Sequence, residues 1–204
     1  FDYQLLGRLS GQQHPTIVVR RAAENEKFTT LDGKEHTLGS TTLLIADETR
    51  AVALAGVMGG LNSEIQSTTT DVLIESAYFK PQNIRATSKK LDLRTESSYR
   101  FERGCDVAIC DWASKRTTQL ILETAGGALA QGVVDANPKP TDVHQITLRP
   151  EKANALLGLE LSPEHMEGYL AALGIKAGAR KPRPVGEEAA ASEPVSFRIP
   201  TFRV

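Results

Sequence analysis

The sequence predicts an α+β fold: a mixed or antiparallel sheet with a helix packed against it, followed by a second, smaller α+β domain. Two observations predict this arrangement. Short β-branched and apolar runs separated by turn signals fill the first 75 residues, and a long amphipathic helix pattern follows after residue 100. A chain of 204 residues buries about 70% of the surface that its unfolded form exposes, so it can fold without disulfides or a metal.

The predicted sheet is built from short strands and one hairpin. Asp32-Gly33 is the strongest hairpin signal in the chain, because both residues tolerate the positive φ angles of a tight turn. Residues 72–74 (Val-Leu-Ile) predict a buried strand that ends at Glu75. The other predicted strands are residues 17–20, 42–46 and 52–55, with a charged turn at 47–50 between the last two.

The clearest helix signal covers residues 106–124. Asp106 is a good N-cap, apolar residues recur at three- and four-residue spacings, and Gly126-Gly127 ends the pattern. A shorter helix is predicted for residues 83–90. Residues 133–134 (Val-Val) predict one last short strand of this part of the chain.

The best domain boundary is the loop at residues 137–142, which contains two prolines and predicts domains 1–142 and 143–204. The second domain begins with a predicted strand at 146–148. Two helices follow, one from Pro150 to a stop at Gly158 and one capped by Ser162 that ends at Gly174. Residues 180–194 predict a loop and residues 195–199 a strand.

Composition excludes several function classes. The net charge is −1, so no overall field favours nucleic acid or membranes, and no apolar run approaches the roughly 18 residues of a membrane-spanning helix. Cys105 and Cys110 match no metal or redox motif and indicate a reduced, cytoplasmic protein, while four scattered histidines indicate no metal site. A first residue of Phe, without a signal peptide, indicates a piece cut from a longer protein.

Two features suggest a binding pocket, and each has a simpler alternative. Residues 56–60 (Gly-Val-Met-Gly-Gly) follow a strand directly, where glycines allow a ligand or another backbone to approach closely. A tight turn between strands is the commoner use of such glycines. Glu75 ends an apolar segment, where its carboxylate is costly to bury without a partner, or else simply turns towards solvent.

A third feature is a basic stretch at residues 80–103, which holds seven basic side chains and three acidic ones. Such a stretch can receive a phosphate backbone, although a solvated face crossed by salt bridges is the more frequent outcome. The candidates for contact with a polyanion are Arg85, Lys89, Lys90, Arg94 and Arg100.

Three motifs in a fixed order carry a family resemblance. They are Gly-Val-Met-Gly-Gly at 56–60, Ile-Glu-Ser-Ala-Tyr-Phe at 74–79, and Leu-Arg-Thr-Glu-Ser-Ser-Tyr-Arg-Phe-Glu-Arg-Gly at 93–104. With them the chain resembles the beta subunits of bacterial-type phenylalanyl-tRNA synthetases, and the similarity extends to residues 17–20, 146–149 and 199–203. The resemblance covers the B3/B4 editing module of that family and the start of its B5 module, which is winged-helix-like.

The resemblance implies hydrolysis of tRNA-Phe that has been mischarged with tyrosine. Glu75 would accept a hydrogen bond from the tyrosine phenol, with Thr95 and Ser97 as further candidates for the editing pocket; no residue is implied as a nucleophile. Ser97 departs from the alanine that many members carry. The glycines implied to line the tyrosine pocket are Gly56, Gly59 and Gly60.

The same resemblance implies partners and cofactors. The partners are the catalytic alpha subunit and tRNA-Phe, which the basic candidates would contact, while ATP and Mg²⁺ would serve the holoenzyme and no cofactor or membrane would bind this piece. A non-catalytic tRNA-binding or scaffolding module of the same subunit is the alternative. Deacylation of tyrosyl-tRNA separates the two functions.

Overall fold

The computed structural model describes residues 1–140, 142, 144–178 and 194–203. The chain divides into two compact units, Phe1–Gly132 and Val133 to Arg203, and each is described by itself. The domain boundary expected between residues 142 and 143 stays a prediction. Residues 180–193 of the predicted loop lie outside the described residues.

The first unit contains four helices and six strands among its described residues. In chain order they are α1 (Tyr3–Ser10), β1 (Val18–Arg21), β2 (Lys27–Thr29), β3 (Glu35–Thr37), β4 (Leu43–Ala46), β5 (Ala51–Leu54), β6 (Met58–Gly59), α2 (Pro81–Leu91), α3 (Glu96–Phe101) and α4 (Cys110–Ala125). Short 3₁₀ turns lie at Leu61–Ser63 and Val107–Ile109. The predicted α+β fold class is confirmed.

The main sheet has the strand order β1-β4-β5-β6, and every pairing in it is antiparallel. Its two central strands form the core of this unit: Leu44 and Val52 are fully buried and Leu54 is 1% exposed. All four residues of β5 are buried, because both faces of the strand are covered. A strand covered on both faces is apolar throughout instead of alternating, which is the pattern that residues 52–55 show.

The predicted hairpin is confirmed as the antiparallel pair β2–β3, with Phe28 opposite His36. Gly33 has φ +77° in its turn, the left-handed conformation that glycine adopts without strain. The turn is fixed to the main sheet, because the N–H of Leu31 donates to the carbonyl of Gly59 at 3.1 Å. The hairpin turn therefore lies beside β6.

Helix α1 was not predicted, although its ends carry clear signals. The carboxylate of Asp2 accepts from the N–H of Leu5 at 2.7 Å, and Gly11 ends the helix with φ +70°. Leu6 is fully buried. The expectation that the first 75 residues are mostly sheet missed this helix because it is only eight residues long.

Helices α2 and α4 differ in how they pack. Helix α2 is longer than predicted, begins with Pro81 at its first turn and places Ile84 fully inside the core. Helix α4 confirms the long helix signal, although Asp106 caps the preceding 3₁₀ turn. The packing predicted for the apolar face of α4 is not found among the described residues: Trp112 is 62% exposed, and no side chain of the helix is buried.

Two predicted strands are wrong. Residues 72–74 form only one isolated bridge, between Val72 and Asp2, and Val72 is 49% exposed. This segment pairs with the start of the chain instead of joining the main sheet. Val133 and Val134 lie outside any strand and are 83% and 97% exposed, so β-branched composition alone did not make a strand there.

The second unit contains β7 (Gln145–Leu148), α5 (Pro150–Leu157), α6 (Pro163–Ala172), β8 (Lys176–Ala177) and β9 (Val195–Arg198). Its strands form an antiparallel sheet in the order β7-β9-β8. The predicted cap signals are confirmed: Gly158 ends α5 with φ +66°, and the hydroxyl of Ser162 accepts from the N–H of His165. Two residues of this sheet are buried, Val195 and Phe197 in β9.

Candidate functional site

A cavity of about 650 Å³ opens in the first unit and is called the Glu75 cavity below. Its volume falls within the range of about 300–1,000 Å³ that is typical of small-molecule sites. The wall is mostly apolar and combines the end of β5, the glycine turn before β6, the β2–β3 turn, residues 75–79 and α3. The lining residues are Phe1, Leu31, Asp32, Ile45, Ala53, Leu54, Ala55, Gly56, Val57, Met58, Gly59, Glu75, Ala77, Phe79, Thr95, Ser97 and Phe101.

Close packing around residues 56–59 leaves little room for a Cβ at two glycine positions. Gly56 has φ +65°, and a Cβ on it would lie 2.7 Å from Phe79 Cδ2 and 2.9 Å from Ile84 Cδ1. A Cβ on Gly59 would lie 3.1 Å from Leu31 Cδ1. Gly56 in the turn and Gly59 in β6 therefore both allow neighbouring side chains to approach the backbone, and both line the cavity.

Two hydroxyls from the start of α3 hold this turn. The Thr95 hydroxyl donates to the carbonyl of Val57 at 2.7 Å, and the Ser97 hydroxyl donates to the carbonyl of Gly56 at 3.0 Å. Thr95 is also the N-cap of α3, since its hydroxyl accepts from the N–H of Ser98 at 3.0 Å. Both hydroxyl protons are therefore committed to the protein, and Ser97 keeps free acceptor capacity towards the cavity.

Glu75 is the carboxylate in the cavity wall without a partner: it makes no hydrogen bond or ion pair within the described part of the chain. It is an exposed residue that nevertheless lines the cavity. Surrounding atoms exclude enough solvent that burial raises the pKa of its carboxyl above the usual value. An unpaired acceptor in an apolar wall is available to a ligand that brings a donor.

Gly60 does not line this cavity, unlike the other two glycine candidates. A Cβ on it would lie 2.6 Å from the carbonyl oxygen of Val52 and 2.7 Å from Phe28 Cζ. Its N–H donates to that same carbonyl at 2.8 Å. Gly60 thus allows the chain to pass close against β5 and the hairpin, inside the core.

Sequence reasoning missed several lining residues. Asp32 was interpreted only as a hairpin residue, yet it brings a second carboxylate to the cavity, where it accepts from the Thr30 hydroxyl at 2.6 Å and pairs with Lys34. Phe79 and Phe101 form an edge-to-face pair with ring centroids 5.0 Å apart. Both lie within the motifs at 74–79 and 93–104, but nothing in the sequence brings the two rings together, because residues far apart in the sequence meet only through the fold.

The five basic candidates separate into different places. Arg85, Lys89 and Arg94 line a second cavity of about 430 Å³, formed by α2, the turn after it and α3, and called the Tyr99 groove below because Tyr99 also lines it. Lys90 lies instead beside Gly39 and Glu24. Arg100 forms an exposed ion pair with Glu96 at 2.6 Å.

Neither a metal site nor a membrane-spanning helix emerges from the part of the chain that the structure describes. No group of three His, Cys, Asp or Glu residues there could hold a metal ion. No described helix is long and apolar enough to cross a membrane.

The first unit thus combines an antiparallel sheet with a largely apolar cavity, an unpaired carboxylate and a glycine turn. The family described as "B3/4 domain" matches residues 1–126, and the chain belongs to this family. The resemblance to phenylalanyl-tRNA synthetase beta subunits, drawn from the three motifs, is also confirmed by individual relatives.

Those relatives are phenylalanine–tRNA ligase beta subunits. The chain is 47% identical over 204 residues to the beta subunit of Geobacter sulfurreducens. The aligned residues cover 100% of this chain and 24% of that relative. It is 47% identical over 188 residues to the beta subunit of Salinibacter ruber, an alignment that covers 92% of this chain and 21% of that relative. It is 48% identical over 175 residues to the beta subunit of Symbiobacterium thermophilum, an alignment that covers 86% of this chain and 19% of that relative. The chain spans about a quarter of the length of the relatives it matches.

Proposed function

We propose that the chain is the editing part of a phenylalanine–tRNA ligase beta subunit and hydrolyses the ester of tRNA-Phe mischarged with tyrosine. The observation that carries the proposal is Glu75: an unpaired carboxylate in the wall of a largely apolar cavity large enough for an aromatic amino acid. The phenol of tyrosine donates a hydrogen bond to this carboxylate. Phenylalanine brings no donor and leaves the carboxylate desolvated and unpaired.

The energetics explain why such a site is needed. An apolar pocket built for phenylalanine rejects an added hydroxyl by only about a hundredfold, whereas a site that requires the hydroxyl discriminates by roughly 10⁴ or more. The Glu75 cavity is of the second kind. Its discrimination depends on one acceptor set in a largely apolar wall.

The hydrolysis itself needs no covalent nucleophile. An aminoacyl ester is already reactive, so a water held in position and oriented backbone groups lower the barrier by arrangement and electrostatics. Thr95 and Ser97 contribute by fixing the glycine turn, because their hydroxyl protons bind its carbonyls. The glycine turn then positions the cavity wall against which the ester lies.

In the assembled enzyme this part works with the catalytic alpha subunit in the cytoplasm, while ATP and Mg²⁺ serve the charging reaction elsewhere. The partner nucleic acid is tRNA-Phe. Similarity to phenylalanine–tRNA ligase beta subunits supports the membership of this chain in such an enzyme.

The test uses the assembled alpha–beta enzyme and purified tyrosyl-tRNA-Phe. Glu75→Ala should lower kcat/KM for tyrosyl-tRNA clearance at least about a hundredfold, because the phenol loses its acceptor, and should leave phenylalanine charging near normal. Glu75→Gln keeps an acceptor without the charge and should retain part of the activity. Asp32→Asn is the matched control: it alters the other cavity carboxylate, which is already paired.

Two results would contradict the proposal. Unchanged clearance by Glu75→Ala would remove Glu75 from its role. No clearance by the unaltered enzyme would favour the alternative, a tRNA-binding or scaffolding module without catalysis.

A further inference from the structure

The Tyr99 groove concentrates positive charge on a surface that the editing proposal does not use. Four cations line it, Arg85, Lys89, Arg94 and Arg103, against the two carboxylates of Asp92 and Glu102. One of those carboxylates is already neutralised, because Glu102 pairs with Arg103 at 2.7 Å. The groove therefore presents a surplus of positive charge in a chain whose net charge is −1.

The four cations differ in whether they already have hydrogen-bond partners within the protein. Arg85 Nη2 donates to the carbonyl of Glu102 at 3.0 Å, and Arg103 Nη1 donates to the carbonyl of Tyr99 at 2.7 Å. Lys89 and Arg94 are exposed and have no hydrogen-bond or ion-pair partner within the described residues. An anion entering the groove would thus meet two cations, Lys89 and Arg94, that it can bind without breaking the Glu102–Arg103 ion pair.

An aromatic platform lies in the same groove. The guanidinium carbon of Arg103 lies 3.7 Å from the centroid of the Tyr99 ring, so the two planar groups form a cation–π pair. Tyr99 still remains 58% exposed. Exposed aromatic rings beside free cations are the combination that binds single-stranded nucleic acid, with bases stacked on the ring and phosphates held by the cations.

The groove also adjoins the proposed reaction site, because Thr95 lines both the Glu75 cavity and the Tyr99 groove. An ester in the cavity is attached to the terminal ribose of an RNA strand. The nucleotides before that ribose must leave the cavity along its neighbouring surface.

We propose that the Tyr99 groove binds the single-stranded 3′ end of the tRNA, with a base stacked on Tyr99 and a phosphate held by Lys89 and Arg94. This inference rests on the proposed editing function, since the strand is the one that carries the ester. Arg103 keeps the ring in place from its other side. The groove thereby orients the strand so that its terminal ester reaches the cavity.

The first experiment measures RNA binding without hydrolysis. A fluorescent single-stranded RNA of seven nucleotides is titrated into the assembled alpha–beta enzyme, and anisotropy gives Kd. Tyr99→Ala should weaken binding roughly 5- to 150-fold, the range expected for loss of one stacked base, whereas Tyr99→Phe should bind within about twofold of the unaltered enzyme because it keeps the ring. Tyr169→Ala, which removes another exposed tyrosine, is the matched control.

Charge is tested with Arg94→Ala and with Arg116→Ala as its control, an exposed arginine on α4. Arg94→Ala should weaken binding and lower the slope of log Kd against log salt by about 0.7, the value for one lost phosphate contact on a single strand. Kd values within twofold for both Tyr99→Ala and Arg94→Ala would overturn the proposal. If the enzyme bound a polyphosphate of the same length as tightly as it binds the RNA, base stacking on Tyr99 would be refuted. The groove would then be only a basic patch that binds phosphates.

A second experiment separates this proposal from the editing function. Tyrosyl-tRNA and tyrosyl-adenosine, which lacks the preceding nucleotides, are compared as substrates. Tyr99→Ala should lower kcat/KM about tenfold or more for tyrosyl-tRNA and leave tyrosyl-adenosine unchanged. Equal losses on both substrates would refute the groove, while clearance of neither substrate by the unaltered enzyme would refute editing and leave the binding experiment to decide the groove.

Discussion

Replacing Gly56 with alanine tests whether the glycine turn of the Glu75 cavity is held by close packing. The added methyl would lie 2.7 Å from the ring of Phe79 and 2.9 Å from the end of Ile84. Phe79 cannot move away easily, because it is 7% exposed and its ring packs edge to face on Phe101. Two destabilising effects therefore act together in Gly56→Ala.

The magnitudes follow from these two effects. The left-handed backbone at φ +65° costs an alanine about 1–2 kcal/mol, and overpacking of a dense core costs about 1–3 kcal/mol more. Gly56→Ala should thus lower the free energy of unfolding by roughly 2–5 kcal/mol. Gly11→Ala is the matched control, because Gly11 has φ +70° and nothing lies within 4 Å of its Cβ position.

Urea denaturation of the chain, followed by circular dichroism, measures both variants. Gly11→Ala should show only the backbone effect, about 1–2 kcal/mol, so the difference between the variants isolates the packing effect at about 1–3 kcal/mol. Equal destabilisation by the two substitutions would refute the packing argument. It would mean that Phe79 and Ile84 yield to the methyl at no cost, and that the turn is not fixed by its neighbours.

Two further predictions concern hydrogen bonds that shape the first unit. Thr95→Val keeps the shape of the side chain but removes the hydrogen bond to the Val57 carbonyl and the cap of α3. It should lower the free energy of unfolding by about 1–2 kcal/mol, and Thr95→Ser should restore most of this loss. Equal urea midpoints for the two variants would contradict the role assigned to the hydroxyl. For Asp47, burial alone would raise the pKa, but hydrogen bonds from the N–H groups of Arg50 and Thr49 and from the Thr49 hydroxyl hold it below its usual value. A carboxyl whose pKa is lowered on folding stabilises the fold above its unfolded pKa, and this stabilisation is lost as the pH falls. Asp47→Asn should therefore lower the free energy of unfolding by about 1–2 kcal/mol at pH 7, and this loss should shrink between about pH 5 and pH 3. A loss that stays constant over this range would show that the charge of Asp47 plays no part.

Local signals with a stereochemical cause predicted their elements well. Asp32-Gly33 predicted the hairpin because the turn requires a positive φ, which Gly33 adopts at +77°. Pro150, Gly158 and Ser162 predicted helix ends that the structure confirms, because missing donors and left-handed caps depend only on neighbouring residues.

Composition without such a cause predicted less well. Val72 and Val133-Val134 suggested strands, yet a strand forms only where a partner edge is available. Residues 72–74 meet one short partner and make a single bridge, and the valines at 133 and 134 meet none among the described residues. The apolar spacing of α4 likewise predicted a helix correctly but not what covers its apolar face.

The sequence by itself determined the fold class, most helix and strand positions and the family resemblance, and it named Glu75 as a candidate site residue. Only the tertiary structure decided that Gly56 and Gly59 line the cavity while Gly60 packs in the core, that Asp32 and Phe101 join the same wall, and that three of the basic candidates share one groove with Tyr99. The physical reason is distance along the chain. Caps and turns depend on residues a few positions apart, whereas a cavity wall is made by segments that meet only after the sheet and helices have packed.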